Sequence, residues 1–184
     1  MKSTYALALL ISASLPLISA SHADDTMSMT RNSNGVEELF RAHETSIDIF
    51  GTASLNEEKF NNATSNSVQE DGRLGAGVGI NHFFTRNFGI GGDAYSENAN
   101  HVFIDNASAN LIFRAPIDSI RLAPYAYAGG GYQFENSDRA FAQAGGGLEF
   151  RFTKCFGVFA DARFVFINDA KDYGVGRLGV RFLF

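Results

Sequence analysis

The chain has 184 residues and a formal net charge of −5, with 19 glycines, 18 phenylalanines, six tyrosines, no tryptophan and three prolines. That length fits one domain, and the mildly acidic balance gives no reason to expect nucleic acid as a partner. Cys155 is the only cysteine, so an internal disulfide is excluded and a cysteine-based metal site is not indicated.

Lys2 supplies a positive start, Tyr5 to Ala20 is largely apolar, and Ser21-His22-Ala23 places small residues at −3 and −1. This pattern predicts a signal peptide over 1–23, cleaved before Asp24; the apolar run is short of the roughly 20 residues that a spanning helix needs. No cysteine follows it, so no lipoprotein is indicated. Cleavage removes Lys2 and no acidic residue, leaving the mature chain slightly more acidic. Residues 24–44 are expected to form a periplasmic extension, with Val36-Glu-Glu-Leu-Phe-Arg-Ala42 as a short helix that docks at a barrel mouth, engages a partner or stays disordered.

From there the chain alternates between apolar and polar residues in eight segments: Ser46–Leu55, Arg73–Phe84, Phe88–Tyr95, Val102–Arg114, Ala123–Phe134, Ala140–Phe152, Phe156–Phe166 and Tyr173–Phe184. A period of two is the mark of strands with different surroundings on their two faces. Several segments reach the roughly 9–11 residues of a tilted membrane strand. Short connections (Thr85-Arg86-Asn87, Ala115–Ile120 and Thr153-Lys154-Cys155) alternate with longer polar ones at Asn56–Gly72, Ser96–His101, Glu135–Arg139 and Ile167–Asp172. The expected fold is all-β: an eight-stranded antiparallel up-and-down transmembrane β-barrel over 45–184, with tight turns and both termini on the periplasmic side.

A gapless internal repeat supports the strand count. Gly77–Ala94 and Gly145–Ala162 share eight of eighteen residues, 68 positions apart, including a Phe-Thr-basic-X-Phe-Gly turn core. Strands two and three therefore correspond to strands six and seven.

Strand parity assigns the two faces. Ala140, Ala142, Ala144, Leu148, Phe150 and Phe152 share one face of strand six, against Gln143, Glu149 and Arg151. Aromatics gather at strand ends: Phe84, Phe88, Phe150, Phe152, Phe156, Phe182 and Phe184 on the turn side, and Phe103, Tyr132, Phe134, Phe164 and Phe166 on the loop side. Such girdles belong at membrane interfaces. The inward set contains Asp48, Asp93, Glu149 and Asp161 with Arg73, Arg114, Arg151, Arg163, Arg177 and Arg181. Eight strands leave an interior only wide enough for side chains, so these charges are expected to pair as a lumen network; a charged conduit or proton-linked gate is the alternative. Strand five is open at this stage: either Tyr125, Tyr127 and Gln133 face inward, leaving Ala126, Ala128, Gly130 and Tyr132 outside, or the reverse. In the last strand Leu178, Val180, Phe182 and Phe184 form an apolar face ending on an aromatic, which resembles the terminal assembly signal of outer-membrane barrels.

The stretch Gly77–Gly89, the segment Pro124-Tyr-Ala-Tyr-Ala-Gly-Gly-Gly-Tyr132 and the Phe184 terminus resemble the family of small eight-stranded outer-membrane proteins, including the OmpA-like transmembrane domain and opacity-type surface proteins. The resemblance covers roughly residues 45 to 184. It implies a monomer in the outer membrane of a Gram-negative cell, in contact with lipids and lipopolysaccharide. Activity does not follow, because members include structural barrels, adhesins and lipid-modifying enzymes. No catalytic residue, cofactor or metal site is assigned. His101 with Ser96 and Glu97 is the only local candidate for hydrolysis, and loop polarity accounts for all three. The acidic residues Glu57, Glu58, Glu70 and Asp71 read as a solvated loop able to attract divalent cations. The expected role is structural or surface interaction, with any extracellular ligand unidentified. A small gated pore, a lipid-modifying enzyme and a soluble ligand-carrying barrel are the alternatives.

Overall fold

A computed structural model describes residues 38–56, 73–96, 104–134, 139–167 and 172–184. The expected signal peptide, most of the acidic first loop, Phe103, and His101 with Glu97 lie outside the described residues.

Eight strands, β1 (Glu44–Asn56), β2 (Arg73–Phe83), β3 (Phe88–Tyr95), β4 (Asn106–Arg114), β5 (Leu122–Gln133), β6 (Arg139–Arg151), β7 (Phe156–Ile167) and β8 (Tyr173–Leu183), follow one another around a ring. Each pairs antiparallel with its sequence neighbours, and β8 returns to β1 from Ser46↔Leu183 to Asn56↔Tyr173, closing the barrel. Closure leaves no sheet edge with unpaired backbone groups. The last residue takes part: the Thr45 and Phe184 backbones exchange two N–H···O bonds of 3.0 Å. Both the start of β1 and the end of β8 therefore lie at the end carrying the short turns, called here the turn end. β4 starts at Asn106; Val102, where the sequence starts it, lies outside the described residues.

The repeated turn has one mechanism in both copies. Thr85 Oγ1 accepts from the amides of Asn87 and Phe88, and Thr153 Oγ1 accepts from that of Cys155. The Thr85 and Thr153 amides each donate 3.2 Å bonds to the carbonyls of Phe88 and Phe156. Threonine at this place caps a turn that its own side chain closes. The third turn is built differently, as a 3-10 segment at Asp118–Ile120 ended by Arg121 in the left-handed region at φ 59°.

The faces are inverted relative to a water-soluble protein. Ile47, Ile49, Leu74, Val78, Ile80, Leu111, Leu148, Phe164 and Leu178 stand exposed on the outside, whereas Ser46, Asp48, Asn110, Gln143, Glu149, Arg151 and Arg163 are buried inside. Aromatic side chains adjoin along the outer turn end, with Phe150, Phe152, Phe156 and Phe182 in successive ring contacts 5.1–5.7 Å apart. Tyr132 and Phe134 form a pair at the opposite end. In β5 the alternation resolves with Tyr125 and Tyr127 buried inside and Ala126 and Ala128 exposed.

Interior aromatics explain part of the glycine content. Phe50 lies opposite Gly77 on one neighbouring strand and opposite Gly179 on the other. A Cβ on Gly77 would stand 2.5 Å from Tyr95 Cβ and 2.6 Å from the Phe50 ring. The missing side chain is thus the space that the ring occupies. Gly77→Ala is expected to cost about 1–3 kcal/mol by overpacking. Gly51→Ala, on the outer face where the nearest atom is 3.8 Å from the added carbon, should leave the urea midpoint of the vesicle-inserted barrel nearly unchanged.

Candidate functional site

Among the described residues, charge is concentrated in the lumen. Five carboxylates (Glu44, Asp48, Asp93, Glu149 and Asp161) meet five guanidinium groups (Arg114, Arg151, Arg163, Arg177 and Arg181) in a ladder of ion pairs. The ladder is charge-balanced, the condition under which buried ions are tolerable.

At the turn end, Glu44 accepts from both Arg114 and Arg151. Arg151 Nε also donates to Glu149 Oε1 at 2.6 Å, and Glu149 in turn accepts from Arg181. Arg181 reaches across the strand pair to Asp48 with two parallel bonds of 2.8 and 2.6 Å. This planar fork is specific to arginine, since a lysine offers one point charge. Asn81 completes Asp48 with a 2.9 Å bond and also donates to Ser46.

Farther along the axis, Arg177 makes the same fork with Asp161, both bonds 2.8 Å, and extends Nη1 to Asp93 at 3.0 Å. Asp93 and Asp161 occupy equivalent places in the two repeat copies, so a single arginine joins the two hairpins. Tyr125 and Tyr127 donate to the two Asp161 oxygens at 2.6 and 3.0 Å. Asp93 passes the network on to Arg163, whose Nη1 donates to Gln143 Oε1 at 2.7 Å. Gln143 then donates to Ser108 and Asn110 at 2.8 and 2.7 Å.

Apolar groups fill what the charges leave. Phe50, Phe83, Tyr95, Ile112 and Phe159 pack with the two tyrosines. Toward the loops Phe141, Val165, Tyr173 and Val175 form a second cluster. Guanidinium groups lie over rings, with Arg114 Cζ 3.6 Å from the Phe83 centroid and Arg177 Cζ 4.9 Å from that of Phe50. The interior void beside Asp48, Asp93, Tyr125, Tyr127, Arg177 and Arg181 measures about 20 Å³, room for a single water.

Asp48, Asp93, Arg114, Glu149, Arg151, Asp161, Arg163, Arg177 and Arg181 each make at least one of these ion pairs. The Arg73 side chain is outside the described residues. Leu178, Phe182 and Phe184 are exposed on the outer face of the closing strand, with Val180 half-buried among them. His82 lies on the outer face, its Nδ1 3.0 Å from Thr45 Oγ1.

Two components are not legible in the linear chain. Glu44, placed by sequence in the extension, is the first residue of β1 and the acceptor for two buried arginines. The second is the conformation of the segment before it, whose docking at the barrel mouth is among the outcomes the sequence offers. Residues 38–43 are not helical but bent and turned, a correction to the helix expected there. Their backbone groups bind the barrel rather than each other: Leu39 N–H donates to Asp118 Oδ1, the Leu39 carbonyl accepts from Arg151, and the Arg41 carbonyl accepts from Arg114. Without those intrahelical bonds a short helix has nothing to offset its nucleation cost. Leu39 and Phe40 are buried against Ala123, closing the turn end with the chain's own residues.

No protein-family model matches the chain, and no curated protein matches it. Solved structures do. The N-terminal β-barrel domain of Pseudomonas aeruginosa OprF is 20% identical, with a TM-score of 0.60, over 78% of this chain and 99% of that one. A de novo designed transmembrane β-barrel is 12% identical with a TM-score of 0.55, over 78% and 98%. The outer-membrane protein OprG from Pseudomonas aeruginosa is 10% identical with a TM-score of 0.51, over 78% and 97%. At these identities the likeness shows the fold: that of the small eight-stranded outer-membrane barrels. A designed barrel aligns about as well as natural ones, so the match transmits architecture and not activity.

Proposed function

We propose that this chain, built on the fold of the small eight-stranded outer-membrane barrels, is itself an integral outer-membrane protein with a closed lumen and a non-enzymatic structural or surface-interaction role. The observation that carries the reading is the inverted distribution of polarity: an exposed belt of Ile, Leu and Phe around a buried ladder of ion pairs. In water such a belt would be a large aggregation-prone patch; in a bilayer it meets acyl chains, and the closed ladder satisfies every strand backbone group. Lipids and lipopolysaccharide are then its surroundings, and it acts as a monomer. The turn end and both termini face the periplasm, and the longer loops face outward, where any ligand would be met. Leu178, Val180, Phe182 and Phe184 serve as the strand read by the assembly machinery.

Fractionation of cells expressing the full chain tests the assignment. The protein is expected in the outer-membrane fraction, migrating faster in unheated than in heated detergent gels. Recovery in the soluble periplasmic fraction, with no such shift, would contradict it. A small gated pore is the second reading. It is favoured by Arg177, which contacts Asp93 and Asp161 together and so has two alternative partners within reach.

A further inference from the structure

The turn-end mouth has the make-up of a binding site rather than of a chain terminus merely resting on a surface. Its occupant is a short, bent piece of chain recognised through backbone and one ring. Asp118, on the 3-10 turn, takes the Leu39 amide at 3.3 Å. Arg151, fully buried, gives Nη1 to the Leu39 carbonyl at 2.6 Å, and Arg114, also fully buried, gives Nη2 to the Arg41 carbonyl at 3.0 Å. The Arg41 amide is held by Glu44 at 3.2 Å. Between these bonds the Phe40 ring is wholly buried, with Arg151 Cζ at 4.2 Å and Arg114 Cζ at 5.4 Å from its centroid. Two guanidinium groups facing one ring favour an aromatic over an aliphatic side chain, because only the ring offers a negative face.

The occupant is also separable from the barrel. His43 adopts φ 56° immediately before β1, so the chain swings sharply between the seated segment and the strand. Leu39 and Phe40 form a cluster apart from the two that fill the lumen. The barrel ladder from Thr45 to Phe184 closes without any bond to residues 38–43.

We propose that the turn-end mouth is a peptide-binding site for a short non-helical segment carrying an apolar–aromatic pair, and that residues 38–43 of the chain occupy it in cis. The covalent tether supplies a high effective concentration, which keeps the site filled in the intact protein. The same contacts then make it receptive in trans once the tether is cut. Arg114 and Arg151 belong to both the mouth and the ion-pair ladder, so a vacated site leaves two buried guanidinium groups short of the carbonyls they now bind.

The full chain tests this, folded in detergent or lipid. Phe40→Trp introduces the only tryptophan in the sequence; its emission should be blue-shifted and shielded from acrylamide. Slow amide exchange at Leu39 in the unsubstituted chain gives the same reading without enlarging the ring. A protease site inserted between Ala42 and His43 is then cut after folding. The released fragment is expected to stay with the barrel through gel filtration. A synthetic peptide of residues 36–43 should displace it, and the same peptide bearing Phe40→Ala should do so at least about tenfold less well. A water-like tryptophan with fast Leu39 exchange overturns the proposal, as does a fragment that leaves on cutting. A fragment that no peptide displaces, or that both peptides displace equally, overturns it too.

Discussion

Arg181→Met is expected to destabilise the folded barrel by about 3–5 kcal/mol, the usual cost of leaving a buried ion without its partner. Arg181 forks onto Asp48 and also donates to Glu149. Its removal leaves Asp48 with only neutral donors, Asn81 and Ser46, and strips Glu149 back to Arg151 alone. Methionine fills much of the vacated volume, so the loss reports charge more than cavity. The double variant Asp48→Asn/Arg181→Met should recover part of that loss, because the unmatched carboxylate goes with its partner. Urea titration in phospholipid vesicles, read as the ratio of fast- and slow-migrating gel bands, measures both. If the two substitutions simply add, the pair is not coupled and the ladder is not what stiffens the lumen.

Leu111→Arg is expected to cost about 2–4 kcal/mol, the penalty for a cation on the lipid face near the bilayer midplane. Leu111 is 71% exposed, between Ile90 on β3 and Ala128 on β5. The size of the effect separates a membrane barrel from a soluble one. On a soluble barrel an arginine replacing an exposed leucine falls within about 0.5 kcal/mol of neutral and improves solubility. In a membrane it must snorkel or thin the bilayer. The same vesicle titration gives the answer, and a neutral result would remove the membrane assignment while leaving the fold untouched.

How far these residues were readable in advance depends on what each one answers to. Strand parity depends only on the different surroundings of the two faces, so Asp48, Glu149, Arg151 and Arg163 are assignable to the interior by counting in twos. Pairing is another matter. Arg181 meets Asp48 because β8 closes onto β1, 133 positions away in sequence, and no local pattern encodes that register. Tyr125 and Tyr127 were ambiguous because alternating alanine and tyrosine is apolar on both faces. Asp161 resolves them, since its two oxygens accept the two hydroxyls. The repeat showed Asp93 and Asp161 as counterparts, but that both reach Arg177 is a fact of the closed ring. Residues 36–42 read as a short helix from sequence, whereas the buried acceptors and donors that hold the described part in another form come from β1, β4, β6 and the Asp118 turn. Glycine content was visible, whereas the reason for Gly77 and Gly179 appears only when Phe50 is set between them.

On the proposed reading, charge-matched side chains and the seated segment close this barrel, with an interior void of about 20 Å³ beside Arg177 and Arg181. Single-channel recording of the purified full chain in planar bilayers measures that most directly. The native protein is expected to give a baseline without discrete current steps, with steps only when the ladder is dismantled, as in Asp48→Asn/Arg181→Met combined with Asp161→Asn/Arg177→Met. Regular conductance steps from the native protein would contradict a closed lumen and favour the gated pore.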